Sequence, residues 1–291
     1  MKRIKKRNFQ SIRLIGLLLV ILGVAMTIYL QVRSGKLLEK AVLDFASNQF
    51  GVQLFGMGLT VVLIDWLYEK RDEREKKYQL IKELGSLDRS LSTRAALELS
   101  SRNWLSDGTL KKSILLNANL ERADLDEADF SFCNLEEANF KLANIGGGVF
   151  HNIHGKNANF VESFLEKADF YSAHLWKANF VSANLRNAGF ANADLWQANF
   201  EKAYLQDCLF TRAVLKSVNF REAKYLTQGQ LAVASELCAA IMPDGSRYDG
   251  RYQLPGDLAN AKERKISIED DVAMADFYGV PVDIYLSGLH Q

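Results

Sequence analysis

Histidine and cysteine are the side chains best suited to acid–base, nucleophilic or metal chemistry. This 291-residue sequence contains four histidines and three cysteines. His151 and His154 lie three residues apart, but no third ligand of a suitable type follows at a fixed spacing. His174 and His290 have no converging partners in the sequence. The sequence also lacks a phosphate-binding glycine loop and a nucleophile elbow. We therefore expect no catalytic, cofactor or metal site and no enzyme activity.

A five-residue repeat dominates the middle of the sequence. A large apolar residue, which we call the centre of each pentad, occupies every fifth position from Leu115 to Tyr225, with a lapse at Gly155. A small residue lies two positions before most centres, as do Ala118 and Ala178. A period of five fits neither the 3.6 of a helix nor the 2 of a strand. All centres can point inward if the chain turns a corner every five residues and winds into a solenoid.

The number of sides in each coil follows from two longer periods. Leucine and phenylalanine alternate as centres from Phe130 to Phe220, which requires an even number of sides. The residue before the centre repeats only after twenty residues, which predicts four sides and two phenylalanine columns that face each other across the axis. One such column is entirely asparagine, and we expect it to be a structural ladder that binds the corner backbone or stacks amide on amide. Its members are Asn119, Asn139, Asn159, Asn179, Asn199 and Asn219.

The pentads also resemble a known family. Ala118-Asn119-Leu120, Ala123-Asp124-Leu125 and Ala178-Asn179-Phe180 follow the A(D/N)Lxx pattern of pentapeptide-repeat proteins. The resemblance implies an all-β solenoid, a right-handed quadrilateral β-helix of pentapeptide repeats, over residues 108–225. The handedness rests on the resemblance alone. We expect helical caps on both sides, a stalk and N-terminal cap over residues 69–107 and a C-terminal cap over residues 226–291.

A glycine-rich stretch and the three cysteines give two further expectations. Gly146-Gly147-Gly148 through Gly155 departs from the pattern, yet the count of five survives it, so we expect one loosened, bulged coil. Cys133 and Cys208 occupy small inward positions, and Cys238 lies beyond the repeats. We expect buried, reduced thiols and no disulfide framework.

The sequence before the repeats suggests a membrane anchor. Leu14–Leu30 contains no charge, and a second, weaker apolar stretch covers Phe45–Leu67. We therefore predict a transmembrane hairpin of two helices over residues 12–68, with a turn between Arg33 and Asp44 and with Asp65 at the level of the lipid headgroups. A cleaved signal peptide is the competing interpretation of the first stretch, but no small-x-small site precedes Arg33.

Basic residues on both flanks of this hairpin set its predicted orientation. The segment 1–11 is basic, and further Lys and Arg follow the second stretch. The positive-inside rule then places both termini in the cytoplasm, with the bacterial inner membrane as the expected location. The amphipathic stretch Thr93–Leu105 predicts part of the N-terminal cap, and the alternative is a self-association element in a homo-oligomer.

The pentads stop after Tyr225. The apolar residues of Leu226–Ile241 predict a helix with Thr227 as its N-cap, followed by a turn at residues 242–246. A further helix is expected from near Ser267 to Gly279, and another after residue 281. The Leu-Pro-Gly-Asp segment at residues 254–257 could equally be a small docking motif.

The outward positions of the solenoid are where a function could reside. The residue after one leucine column is Lys156, Trp176, Trp196 and Lys216 in successive coils. The two tryptophans should stack as an apolar island between lysines, which is typical of a protein-binding face. These four residues are our candidate protein-binding face, and the alternative is an aromatic ladder that only stabilises the wall.

The charge of the solenoid bears on a known activity of the family. Some soluble pentapeptide-repeat proteins protect DNA gyrase by imitating duplex DNA. Such imitation requires closely spaced Asp and Glu residues along the whole length of the solenoid. Residues 108–225 contain 13 Lys and Arg against 14 Asp and Glu, so nucleic-acid mimicry and nucleic-acid binding are both unexpected. We expect a non-catalytic, membrane-tethered scaffold that presents the solenoid to an unknown protein partner. The alternatives are a DNA-mimic regulator of gyrase and a regulatory membrane sensor.

Overall fold

The computed structural model describes residues 16–25, 29 and 49–290, and it divides into two compact units, Met1–Lys76 and Lys77–Gln291. In the first unit, residues 16–25 are helical and pack against α1, Gln49–Leu84. Two glycines permit the close approach. A Cβ added at Gly58 would lie 2.8 Å from the backbone oxygen of Gly16, and one added at Gly16 would lie 3.0 Å from Val61.

The prediction of two membrane spans, and with it the location in a membrane, is wrong. Within the residues that the structure describes, no helix has both the length and the apolar character needed to cross a bilayer. The apolar part of α1 is interrupted by Asp65, which is buried at 4% exposure rather than placed among headgroups, and it gives way to the charged residues 69–77. The predicted turn between Arg33 and Asp44 and the basic segment 1–11 lie outside the described residues.

The second unit contains the solenoid. Four series of parallel bridges run through it, starting at Ile114, Asn119, Asp124 and Asp129, and within residues 114–224 every bridge joins a residue to the one twenty positions later. Each side of a coil contributes one bridging residue rather than a long strand. The predicted coil of twenty residues and four sides is thus confirmed, whereas its right-handed turn stays a prediction.

Two columns of phenylalanine fill the interior, and all ten rings are fully buried. Within a column, successive rings stack with centroids 4.5–5.5 Å apart. Across the axis, the rings of the two columns meet edge to face at 5.6–6.2 Å. Both geometries are favoured by the aromatic quadrupole. The columns are Phe130, Phe150, Phe170, Phe190 and Phe210 on one wall and Phe140, Phe160, Phe180, Phe200 and Phe220 on the opposite wall.

The coil that contains Gly155 is regular, so the expected bulge is wrong. Val149 and His154 keep their bridges to the coils on both sides. Ile153 occupies the small position and is fully buried, while Gly155 occupies the large one. A Cβ added at Gly155 would lie 2.9 Å from Leu175 Cδ2 and 3.2 Å from Ile153 Cδ1. The large and small residues have exchanged places, and Ile153 fills the space that the missing centre leaves.

This exchange predicts strong coupling between the two positions. Ile153→Ala should destabilise by about 2–5 kcal/mol because it opens a cavity, and Gly155→Leu by about 1–3 kcal/mol because it overpacks the same space. The double variant restores the small–large order of the other pentads. Its loss of stability should therefore be at least 1 kcal/mol smaller than the sum of the losses in the two single variants. Chemical denaturation of the four proteins measures this, and additive losses would contradict the exchange.

The N-terminal end of the solenoid is covered by the end of α1 and by α2, Arg89–Ser101. Their connections also complete the first coil. The Asn119 amide donates to Ser86 O and the Asp129 amide to Leu105 O, both at 2.9 Å. In later coils the corresponding amides donate to carbonyls of the preceding coil, which the first coil lacks. The connections at Ser86 and Leu105 therefore close an open edge of the sheet. The buried apolar residues of the cap are Leu80, Leu84, Ala95, Ala96, Leu99 and Leu105.

The helix predicted over Leu226–Ile241 is a single turn, α3, Gln228–Leu231. Its N-cap is Thr227, as predicted, with a full capping box. The chain then rejoins the solenoid, because Val214 bridges Glu236 and Asn219 bridges Ile241. The apolar residues that suggested a helix instead extend the β-helical core.

Three helices complete the C-terminal cap: α4 Pro255–Glu263, α5 Asp271–Tyr278 and α6 Val282–Leu289. Helix α5 begins later than expected, at the N-cap Asp270, and ends as expected at Gly279, whose φ is 70°. Helix α4 was not predicted. It starts within the Leu-Pro-Gly-Asp segment, where Leu254 and Asp257 are buried and Pro255 is exposed.

Candidate functional site

Lys156, Trp176, Trp196 and Lys216 occupy the same corner of four consecutive coils. The amide after each of the first three residues donates to the carbonyl of the next member one coil on, at 2.8–3.0 Å. These bonds fix the spacing of the four side chains along one edge of the solenoid. We call this set the tryptophan face.

The two indole rings meet at this face. Their centroids are 5.9 Å apart and their planes cross at 88°, so the two rings meet in adjacent coils, as predicted, and pack edge to face. Trp176 leaves 41% of its surface exposed. Lys177 Nζ lies 5.9 Å from the centroid of the Trp196 ring, within cation–π range. Lys177 was not among the residues predicted for this face, although the twenty-residue period places its position beside residue 197.

At Trp196 the corner backbone is also held by a short polar side chain. Asp194 Oδ1 accepts the Trp196 amide at 3.2 Å, two residues on. Aspartate suits this position because its side chain mimics a backbone turn. The turn that carries Trp196 is therefore ordered by a side chain as well as by the bonds between coils.

The asparagine column repeats this corner bond and adds bonds between coils. Each Oδ1 accepts the amide two residues on, at 3.0–3.3 Å. In addition, Nδ2 of Asn139, Asn159 and Asn219 donates to Oδ1 of the asparagine one coil earlier, at 3.0–3.2 Å. In these three residues both side-chain groups are used within the solenoid, as a structural role for the column requires.

We predict that the asparagine ladder responds to pH only when an acid is introduced. Asn159→Ala loses the bonds to Val161 and Asn139 and should cost about 1–3 kcal/mol at any pH. Asn159→Asp keeps the oxygen that accepts the Val161 amide but places a carboxylate beside Asn139 Oδ1. The pKa of the new carboxyl group in the folded state should therefore rise. The variant's loss of stability relative to wild type should shrink as the pH falls from that raised folded pKa to the unfolded value of about 4, because the protonated form can donate. Denaturation at several pH values measures both variants, and a pH-independent loss for Asn159→Asp would contradict the bond.

The histidines contact other side chains but form no shared site. His151 Nε2 lies 2.7 Å from Asp169 Oδ2, and His154 stacks on His174 with centroids 5.4 Å apart. Across the described part of the chain, these residues belong to no group of three or more possible metal ligands.

Two of the cysteines are placed where neither nucleophilic nor redox chemistry is favoured. The Sγ atoms of Cys133 and Cys208 donate to Leu110 O and Leu185 O at 3.0 and 2.9 Å. Burial raises the pKa of both thiols to about 12. Both are free, buried thiols.

A family model described as "Pentapeptide repeats (8 copies)" matches residues 105–141, 156–187 and 188–224. The matched segments all lie in or beside the solenoid, whose repeats are therefore similar to those of pentapeptide-repeat proteins. The unmatched residues 142–155 contain the exchanged pair Ile153 and Gly155, where the pattern of small and large positions is reversed.

Similar solved structures come from several sources. HetL of the cyanobacterium Nostoc, described as involved in heterocyst differentiation regulation, is 28% identical with a TM-score of 0.37, over 46% of this chain and 62% of HetL. The chain thus spans less than two thirds of HetL. Rfr23 of the cyanobacterium Cyanothece is 19% identical, with a TM-score of 0.26 over 44% of this chain and 90% of Rfr23. QnrB1, described as a plasmid-mediated fluoroquinolone resistance protein, is 14% identical, with a TM-score of 0.29 over 55% of this chain and 91% of QnrB1. No curated protein matches the chain.

Proposed function

We propose that this protein is a non-catalytic scaffold that binds another protein through the tryptophan face. The observation that carries the proposal is the edge-to-face pair of Trp176 and Trp196 on a hydrogen-bonded wall, with Trp176 41% exposed. Tryptophan is among the residues that contribute most to protein–protein binding energy. An aromatic pair that served only to stabilise the wall would contribute more stability if both rings were buried.

The stiffness of the wall favours binding. Each member of the face is joined to the next coil by backbone hydrogen bonds, and the core behind it is a continuous column of buried side chains. A surface that is ordered before the partner arrives loses little conformational entropy on association. The two rings are therefore presented in one arrangement.

The charges around the rings define the chemistry of the partner. Lys156 and Lys216 lie one coil beyond the two tryptophans, and Lys177 lies over the Trp196 ring. An apolar pair surrounded by three cations is complementary to a protein segment that combines apolar side chains with aspartate or glutamate. The proposed partner is therefore a protein with an acidic, apolar docking segment.

Charge argues against the alternative of a DNA mimic. Acid is concentrated in residues 121–137, close to the N-terminal cap. Part of it is compensated there, because Lys111 pairs with Asp129 at 2.9 Å and Arg89 with Glu121 at 3.8 Å. The rest of the solenoid leans basic. The surface therefore lacks the continuous run of negative charge that duplex DNA presents.

We therefore expect that the full chain does not inhibit gyrase in a supercoiling assay.

We predict that the partner is captured through the two rings. A photo-crosslinking amino acid at the exposed position Gln197, beside Trp196, identifies candidates by mass spectrometry, and binding is then measured with each purified candidate. Trp176→Ala together with Trp196→Ala should weaken binding at least 100-fold, because each hot-spot residue contributes about 2 kcal/mol or more. The circular dichroism spectrum should not change.

Phe164→Ala is the matched control. Phe164 is an aromatic residue with 54% exposure in a different bridge series, between Asn144 and Asn184. Its removal should leave the affinity within about twofold of wild type. Equal affinity of the double tryptophan variant and the wild type would overturn the proposed function.

A further inference from the structure

Three possible metal ligands meet where the last coil joins the C-terminal cap. Glu236, Cys238 and Asp257 each offer one ligand atom, and these atoms lie within 4.8 Å of one another. Asp257 is fully buried, Cys238 is 4% exposed and Glu236 is half-buried. The sequence places Asp257 nineteen residues after Cys238, so ligand spacing did not reveal the cluster.

Two of the ligands come from the end of the solenoid. Glu236 O accepts the Leu215 amide and Cys238 O accepts the Ser217 amide, both at 2.9 Å, so this segment continues the sheet. Residues two apart on an extended segment point to the same side. The fold therefore directs both side chains to one side of the last coil.

The third ligand is brought in by helix α4. Asp257 lies in its first turn, and the preceding Gly256 donates its amide to Ser235 O at 3.0 Å. A Cβ at Gly256 would lie 2.3 Å from Glu236 Cγ, so only glycine allows the helix to approach this closely. The approach places a carboxylate against the side chains of Glu236 and Cys238.

The hydrogen bonds at the cluster leave ligand atoms available. Asp257 Oδ1 accepts the amides of Leu237 and Cys238 at 3.0 and 2.9 Å. Among the described residues, the buried Oδ2 of Asp257 has no hydrogen-bond partner. A buried acceptor without a partner is costly, and a bound ion is one way in which proteins satisfy it. Asn260 Nδ2 donates to Glu236 Oε2 at 2.8 Å, an outer contact of the kind that orients metal-binding carboxylates.

We propose that Glu236, Cys238 and Asp257 form a binding site for a divalent transition metal, with Zn²⁺ as the ion that best fits one thiolate and two carboxylates. The metal ties the last coil of the solenoid to helix α4. Cys238 lies one coil beyond Lys216, the last residue of the tryptophan face, so the site adjoins that face. The metal site does not depend on the proposed function.

The test uses the full chain after treatment with a chelator. Co²⁺ serves as the spectroscopic probe, because coordination by a thiolate produces a charge-transfer band, and Zn²⁺ should displace it at one equivalent. Calorimetry with Zn²⁺ should give the same stoichiometry, and Zn²⁺ should raise the melting temperature. Cys238→Ser should remove the band, and Asp257→Asn should weaken Zn²⁺ binding at least tenfold while keeping the Oδ1 acceptor for both amides.

Two further variants make the outcome decisive. Cys208→Ser is the matched control, because it removes another buried thiol and should retain the band and the affinity. Glu236→Gln, at a half-buried position, should also weaken binding at least tenfold, and circular dichroism checks that each variant is folded. Absence of Zn²⁺ binding by the wild type, or equal binding by Cys238→Ser and Cys208→Ser, would overturn the site.

Discussion

The burial of one large apolar side chain in every five residues is the interaction on which the structure depends. The ten phenylalanines of the two columns are fully buried and contact one another both along and across the axis. Each buried side chain contributes roughly 1.5–3 kcal/mol, which is less than the entropy lost on ordering its five residues. Bonds between coils and coverage of both ends must supply the remainder. A single coil has neither, so the solenoid and its caps are stable only together.

This dependence explains why the outer surface is free to carry a function. The inward positions and the residue before each centre are committed to packing and corner bonds, as Ala178 and Asn159 show. The position after the centre bears no such constraint, and there the chain places Trp176 and Trp196 on a stiff wall. A partner then meets side chains whose spacing is set by the coils behind them. The tryptophan face and the Glu236–Cys238–Asp257 cluster are separate consequences of the same scaffold.

The solenoid was predictable because its information is local and periodic, whereas the errors concern contacts between distant residues. The period of five revealed the centres and the period of twenty revealed the four sides. The lapse at Gly155 was visible, but its compensation by Ile153 required knowing which side chains share the interior. Apolar residues of 226–241 fitted a helix in isolation and were recruited to the last coil instead. The approach of Asp257 to Cys238 depends on how α4 packs, which no local spacing encodes. Trp176 and Trp196 followed from the repeat, but the edge-to-face arrangement of their rings did not.

Thermal and chemical unfolding of two neighbouring leucine variants tests the inward packing most directly. Ala178 is fully buried in the small column, and the adjacent Lys177 is an exposed corner residue. Ala178→Leu should lower the stability by about 1–3 kcal/mol or more through overpacking, whereas Lys177→Leu should change it by no more than about 0.5 kcal/mol. Equal losses in the two variants would contradict an interior built from every fifth residue.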